Sequence, residues 1–243
     1  MRVAVISDIH GNAQALQEVL AAIEAEAPDA VWCLGDTVGY GPRPNECCSL
    51  VQEAADVCLV GNHDLLALGT VVFDADFNPD ASAAGLWTKD VLDERSRSWL
   101  ESMEPQARLD RAELFHASAR DPVWEYVLAG ESALATFELT ETPLVLVGHS
   151  HVPFAISLEG DELSGAHAPG GTVTDLSPGR RLCNPGSVGQ PRDGDARAAW
   201  LLVDFEAGSA SYRRVAYDLE ATQAAILEAG LPQSLAERLA HGI

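Results

Sequence analysis

"Leu144-Val145-Leu146-Val147-Gly148-His149-Ser150-His151" joins an apolar run to two histidines spaced by one residue. Four apolar residues without alternation read as a short strand buried on both faces, as parallel sheets contain. Gly148 ends the run, so the histidines stand where a buried strand comes to the surface. On its own the pair is as compatible with accident as with a metal. The rest of the chain decides.

Toward the N terminus the same pattern recurs. Val3 to Ser7 reads as a strand and is followed by Asp8-Ile9-His10-Gly11-Asn12. Val31 to Leu34 is followed by Gly35-Asp36 and Thr37-Val38-Gly39-Tyr40-Gly41-Pro42, and Val57 to Val60 by Gly61-Asn62-His63-Asp64. Leu114-Phe115 is followed by His116. Between these strands, Asn12 can cap a helix to about Ala27, with Leu16, Val19, Leu20 and Ile23 on one face. A second helix follows Pro44, and the stretch from about Asp80 to Met103 reads as helical. Beyond His151, short strands are expected at Phe154 to Leu158, around Leu163, Val173 and Leu182, and at Ala198 to Val203 and Tyr212 to Tyr217. Helices at about 218–229 and 232–241 close the chain.

Strands alternating with helices imply a largely parallel, covered sheet. The carboxyl ends of its strands share an edge, where sites form. Five of the seven histidines fall at such ends. His167, in a Gly/Pro-rich loop, and His241, near the terminus, are expected to be exposed.

The 243 residues suffice for one domain spanning 1–243, and 47% of them are hydrophobic. No window of 18 apolar residues suggests a membrane span. Met1 to Asp8 reads as a first strand and not as a signal peptide. Cys33, Cys47, Cys48, Cys58 and Cys183 form no Cys-x-x-Cys and read as reduced thiols of a cytoplasmic protein, with Cys33, Cys58 and Cys183 as core fillers. Fifteen basic against 37 acidic residues leave a net charge of −22. Such a surface repels polyanions, which argues against a nucleic-acid polymer as partner.

The blocks at 8–10, 35–36, 61–64, 116 and 148–151 occur in the order that marks the calcineurin-like metallophosphoesterases: Asp-x-His, Gly-Asp, Gly-Asn-His-Asp/Glu, a lone His, and Gly-His-x-His. The chain resembles that superfamily over nearly its whole length, including Asn184-Pro185-Gly186-Ser187. The resemblance implies an α/β fold, a four-layer sandwich of two mixed β-sheets flanked by helices. It implies two divalent metal ions (Mn favoured, with Fe, Zn, Co or Ni possible) and hydrolysis of a phosphoester by a metal-bridging hydroxide. Carried over residue by residue, Asp8, His10, Asp36 and His151 hold the first metal. Asp36 bridges, and Asn62, His116 and His149 complete the second. His63 is not a ligand but stabilises the transition state or protonates the leaving oxygen. Asp64 either caps the following helix or orients His63.

Two departures bear on the substrate. Protein Ser/Thr phosphatases of the superfamily continue Gly-Asp-x-x-Asp-Arg-Gly and carry Arg before Gly-Asn-His. Here Gly39, Tyr40 and Val60 stand at those places, so two phosphate-gripping arginines are missing. The chain looks more like the superfamily's small bacterial phosphodiesterases, and a small diester is expected. The alternatives are a phosphomonoesterase or nucleotide phosphatase on the same site, a DNA exonuclease disfavoured by charge, and a scaffold without turnover. Complete ligands argue against the scaffold. Substrate contacts are expected from Asn12, Tyr40, Arg43 and Arg192, although Asn12 has its capping role and Arg192 could instead form a surface salt bridge. Arg120 to Tyr126 could wall the site.

Overall fold

The computed structural model describes residues 1–71 and 78–243. In the first half of the chain the elements are β1 (Arg2–Ile6), α1 (Ala13–Glu26), β2 (Ala30–Cys33), α2 (Pro44–Ala54), β3 (Val57–Cys58) and α3 (Asn62–Leu68). There follow α4 (Pro79–Val91), α5 (Glu94–Glu101), β4 (Gln106–Arg108), β5 (Ala112–Phe115), α6 (Gly130–Glu138) and β6 (Leu144–Val147). The remainder is β7 (Phe154–Glu159), β8 (Glu162–His167), β9 (Val173–Asp175), β10 (Arg180–Asn184), β11 (Ala198–Asp204) and β12 (Ser209–Val215). Helices α7 (Leu219–Glu228) and α8 (Gln233–Glu237) and a 3-10 turn (Arg238–His241) complete it.

Two six-stranded mixed sheets result, ordered β3-β2-β1-β11-β12-β9 and β4-β5-β6-β10-β7-β8. In the first sheet β1, β2 and β3 run parallel; in the second β5, β6 and β10 do. Period-two alternation along β1 divides its side chains between two layers. Val3 and Val5 face the second sheet, packing with Leu114, Leu144, Leu146 and Cys183. Ala4 and Ile6 face outward against Leu16, Val19 and Ile23 of α1. On the far side, Val145, Val147 and Leu182 pack on Ala133 and Phe137 of α6. This is the expected sandwich, helices outside and two sheets within.

Several elements differ from expectation for identifiable reasons. The helical stretch after residue 79 is two helices, because Asp93 starts a new one by accepting from Ser96 N at 2.8 Å. Strand β12 starts before Tyr212 because its ladder with β11 runs from Ser209 opposite Asp204 to Val215 opposite Ala198. His167 is not in a loop. It ends β8, opposite Phe154, with Nε2 3.0 Å from Asp193 Oδ2. Helix α6 and strand β4, both short and without a clear period, were not anticipated.

Candidate metal centre

The parallel strands of both sheets deliver their carboxyl ends to one rim. Asp8 follows β1 by two residues, Asp36 follows β2, His116 follows β5 directly, and His149 follows β6 by two. Asn62 opens α3 just past β3. The loop at 184–190 laces the rim together. Asn184 Nδ2 donates to the Gly148 carbonyl at 2.6 Å, and Ser187 Oγ donates to the Asp8 carbonyl at 2.7 Å.

Two groups of potential ligands form there, Asp8 with His10, Asp36 and His151, and Asp36 with His116 and His149. All are buried, and Asp36 belongs to both. Its Oδ1 accepts from His63 N at 2.8 Å. Its Oδ2, buried and without a hydrogen bond, lies 3.6 Å from His10 Nε2 and 3.5 Å from His116 Nε2. His151 Nε2 is 3.5 Å from Asp8 Oδ1 and 3.0 Å from His10 Nε2. Asn62 Oδ1 lies 3.0 Å from His116 Nε2. Gly61 must be glycine here, since a Cβ would stand 2.2 Å from Asp36 Oδ1.

Hydrogen bonds to main-chain carbonyls set the tautomers, because a carbonyl can only accept. Nδ1 of His10 donates to Val38 O at 3.1 Å, that of His151 to Gln190 O at 2.7 Å, and that of His116 to Leu34 O at 2.9 Å. Their Nε2 lone pairs therefore converge on the carboxylates. His149 is held the other way round, with Nε2 donating to Trp124 O at 3.1 Å and Nδ1 left as its ligand atom.

That convergence is the test of a metal. Two basic nitrogens 3.0 Å apart beside a carboxylate repel unless a cation lies among them. Protonation is a poor solution, since burial holds His10 and His151 well below the usual imidazole range. Burial likewise lowers His149 to about 2 and raises Asp8 to about 7. It also raises Asp36, with Asp64 adding to the shift. Neutral imidazole and carboxylate oxygens are the donors that borderline divalent ions prefer, so the residues fit.

His63, lowered to about 3 chiefly by burial, packs its ring against Tyr40 at 4.4 Å and His10 at 4.9 Å between centroids. Asp64 serves the main chain. Its carboxylate accepts from Gly61 N and Val38 N, both at 2.9 Å, which makes it the helix cap. Asn12 is a cap as well: Oδ1 accepts from Ala15 N at 3.1 Å and Nδ2 donates to Gly189 O at 2.9 Å, so its amide serves the fold. Arg43 is exposed at the start of α2, and its N–H ties to Gly11 O at 3.0 Å. Arg192 lies with Cζ 5.9 Å from the Tyr40 ring centroid. Of the expected wall, Tyr126 stacks on His149 with centroids 3.9 Å apart. The carbonyls of Leu34, Val38, Trp124 and Gln190 escaped the sequence reading, since a main-chain acceptor has no residue signature.

A sequence profile of the calcineurin-like phosphoesterase superfamily domain matches residues 1–208. The chain is 38% identical over 245 aligned positions to the uncharacterized protein MJ0912 of Methanocaldococcus jannaschii, covering 99% of this chain and 98% of that protein. The crystal structure of a metallophosphoesterase from Sphaerobacter thermophilus is 41% identical and superposes with a TM-score of 0.90, covering 100% of this chain and 99% of that one. The hypothetical protein PH1004 from Pyrococcus horikoshii OT3 shares the fold at a TM-score of 0.79 and 21% identity, covering 100% of this chain and 98% of that one. The chain therefore belongs to the calcineurin-like phosphoesterase superfamily. Membership and the buried Asp/His cluster together fit a dimetal, metal-dependent phosphoester hydrolase. Among the described residues no helix is long and apolar enough to cross a membrane.

Proposed function

We propose that this protein hydrolyses phosphoesters of small molecules at a centre of two divalent ions, with Mn favoured. The observation that carries the reading is that two ligand groups share one carboxylate, Asp36. Asp8, His10, Asp36 and His151 would hold one ion, and Asp36, Asn62, His116 and His149 the other. Bound there, such ions supply Lewis acidity toward phosphoryl oxygens and make water a nucleophile near neutral pH. Asp36 fixes the spacing of the two halves through Oδ2, while Oδ1 anchors the first turn of α3. His63, beside the ligands but committed to neither group, offers a ring N–H to the phosphoryl or leaving oxygen.

The net charge of −22 supports a small substrate over a nucleic-acid polymer, because it opposes long polyanions beyond the reach of the metals. Five free cysteines support a reducing compartment such as the cytoplasm. A diester as substrate, expected from Tyr40 and Val60, rests on there being no other cation beside the metals, and Arg192 is one.

Reconstitution with excess Mn followed by metal analysis tests the centre. Close to two ions per chain are expected, and fewer than one refutes a dimetal site. Screening the loaded protein against monoesters, cyclic and linear diesters, and dinucleotides tests the reaction. Two bound ions with no turnover of any ester would leave a non-catalytic member of the superfamily.

A further inference from the structure

We propose that Arg192 grips the phosphoryl group of the substrate, and that the preferred substrate ends in a terminal, dianionic phosphate. This rests on the hydrolase reading above and names its substrate class.

The guanidinium lies beside a ring that packs on the first half of the centre. Tyr40, 5.9 Å from Arg192 Cζ, packs on His63 and His10. The main chain of Arg192 is tied to the same rim, its N donating to the His151 carbonyl at 3.3 Å. The charge therefore stands beside the ligand cluster, on the side of His10, His63 and His151.

The cation is also uncommitted. Among the described residues it forms no ion pair, in a chain with 37 acidic against 15 basic residues. Nη2 donates to a neutral amide oxygen, Gln190 Oε1, at 2.8 Å, and Nε is buried without a hydrogen bond. Among the described residues the surface salt bridge that the sequence left open is thus not formed. A cation with no carboxylate partner among the described residues, beside a cluster of metal ligands, calls for an anion between it and the metals. A diester offers a single negative charge, which two divalent ions already satisfy. A terminal phosphate has a second charge and a free oxygen pair for a guanidinium fork.

The test compares wild type, Arg192→Gln and Arg192→Lys as Mn-loaded full chains. Calorimetry reads the affinity for inorganic phosphate and for dimethyl phosphate. Kinetics reads kcat/KM for p-nitrophenyl phosphate and bis(p-nitrophenyl) phosphate, and metal content is measured throughout. Losing a charge-assisted hydrogen bond should weaken inorganic phosphate about 10–100-fold in Arg192→Gln, with dimethyl phosphate less affected. The monoester-to-diester ratio of kcat/KM should fall by a similar factor, mostly through KM, and Arg192→Lys should recover part of it. An unchanged ratio with two Mn retained overturns the assignment and leaves the hydrolase reading standing. Loss of Mn in both variants makes Arg192 a structural support and also overturns it. A wild type that binds two Mn yet cleaves neither ester overturns the hydrolase reading and, with it, the preferred substrate. The grip itself also fails if phosphate affinity is unchanged in Arg192→Gln.

Discussion

The two halves of the metal centre are made from different backbone. In the first, every protein ligand is left-handed: Asp8, His10, Asp36 and His151 have φ of 54°, 50°, 52° and 59°. In the second, the shared Asp36 and His149, at 64°, have this conformation, but His116 simply continues β5 and Asn62 is the first residue of α3. Left-handed conformations cost non-glycine residues about 1–2 kcal/mol each. They persist where surrounding bonds over-determine them. Here the β1 and β2 loops are zipped together, with Asp8 N on Gly35 O, His10 N on Asp36 O and Gly11 N on Thr37 O, each at 3.0 Å. The first half is therefore preformed by main chain. The second half takes two of its four ligands, His116 and Asn62, from regular elements, so it should hold its ion less tightly.

Asp36 joins the halves, and its loss has the largest expected effect. Asp36→Asn should bring turnover below detection and metal content from near two ions to below one, read by metal analysis of the reconstituted protein. Two ions retained in that variant would mean the halves do not share a ligand.

His63 belongs to neither half, so its removal should spare the metals. His63→Gln is expected to slow esters with poor leaving groups about 10²–10⁴-fold, and p-nitrophenyl esters much less. Equal losses across leaving groups would reassign it to electrostatic stabilisation. Loss of an ion would make it a ligand.

Next in size is the difference between the halves themselves. Ions that bind only the folded chain stabilise it, by about 2.7 kcal/mol for each at a hundredfold excess over Kd. For a chain of this size each kcal/mol is worth roughly 2–4 °C in Tm. His149→Ala should keep one ion and the larger part of the metal-induced rise in Tm, whereas His151→Ala should lose that larger part. Matching thermal and metal titrations of the two variants would erase the distinction drawn from the backbone.

The smallest effect lies away from the centre, at Glu113 on β5. Burial acts to raise its pKa. Hydrogen bonds to its Oε2 from Glu141 N, Thr142 N and Thr142 Oγ1, at 2.9, 3.1 and 3.0 Å, outweigh burial, and the net shift is downward. A carboxyl lowered in the folded state stabilises above its unfolded pKa, and that stability goes as pH falls through the folded value. Glu113→Gln should cost about 1 kcal/mol at pH 7 and flatten the decline of Tm below about pH 4. A decline as steep as wild type would exclude Glu113 from the acid response.

The sequence alone determined the strand-and-helix alternation, the sandwich through its family likeness, and the seven residues brought to the rim. These were legible because a buried strand needs an apolar run and a metal needs particular side chains, and both demands are written in residue types. Asp64 shows the limit. Its position allowed either a cap or a partner for His63, and only the positions of Gly61 N and Val38 N make it a cap. Arg192 is the sharper case, because it is about 40 residues past the last ligand in sequence and nothing local brings it to Tyr40. That meeting depends on where β10, β11 and the loop between them place residues 184–192 across the rim. The left-handed ligands and the carbonyls that orient the imidazoles were likewise decided by tertiary structure. Backbone conformation at a rim is imposed by strand pairing and loop closure between distant segments, and no single residue type encodes it.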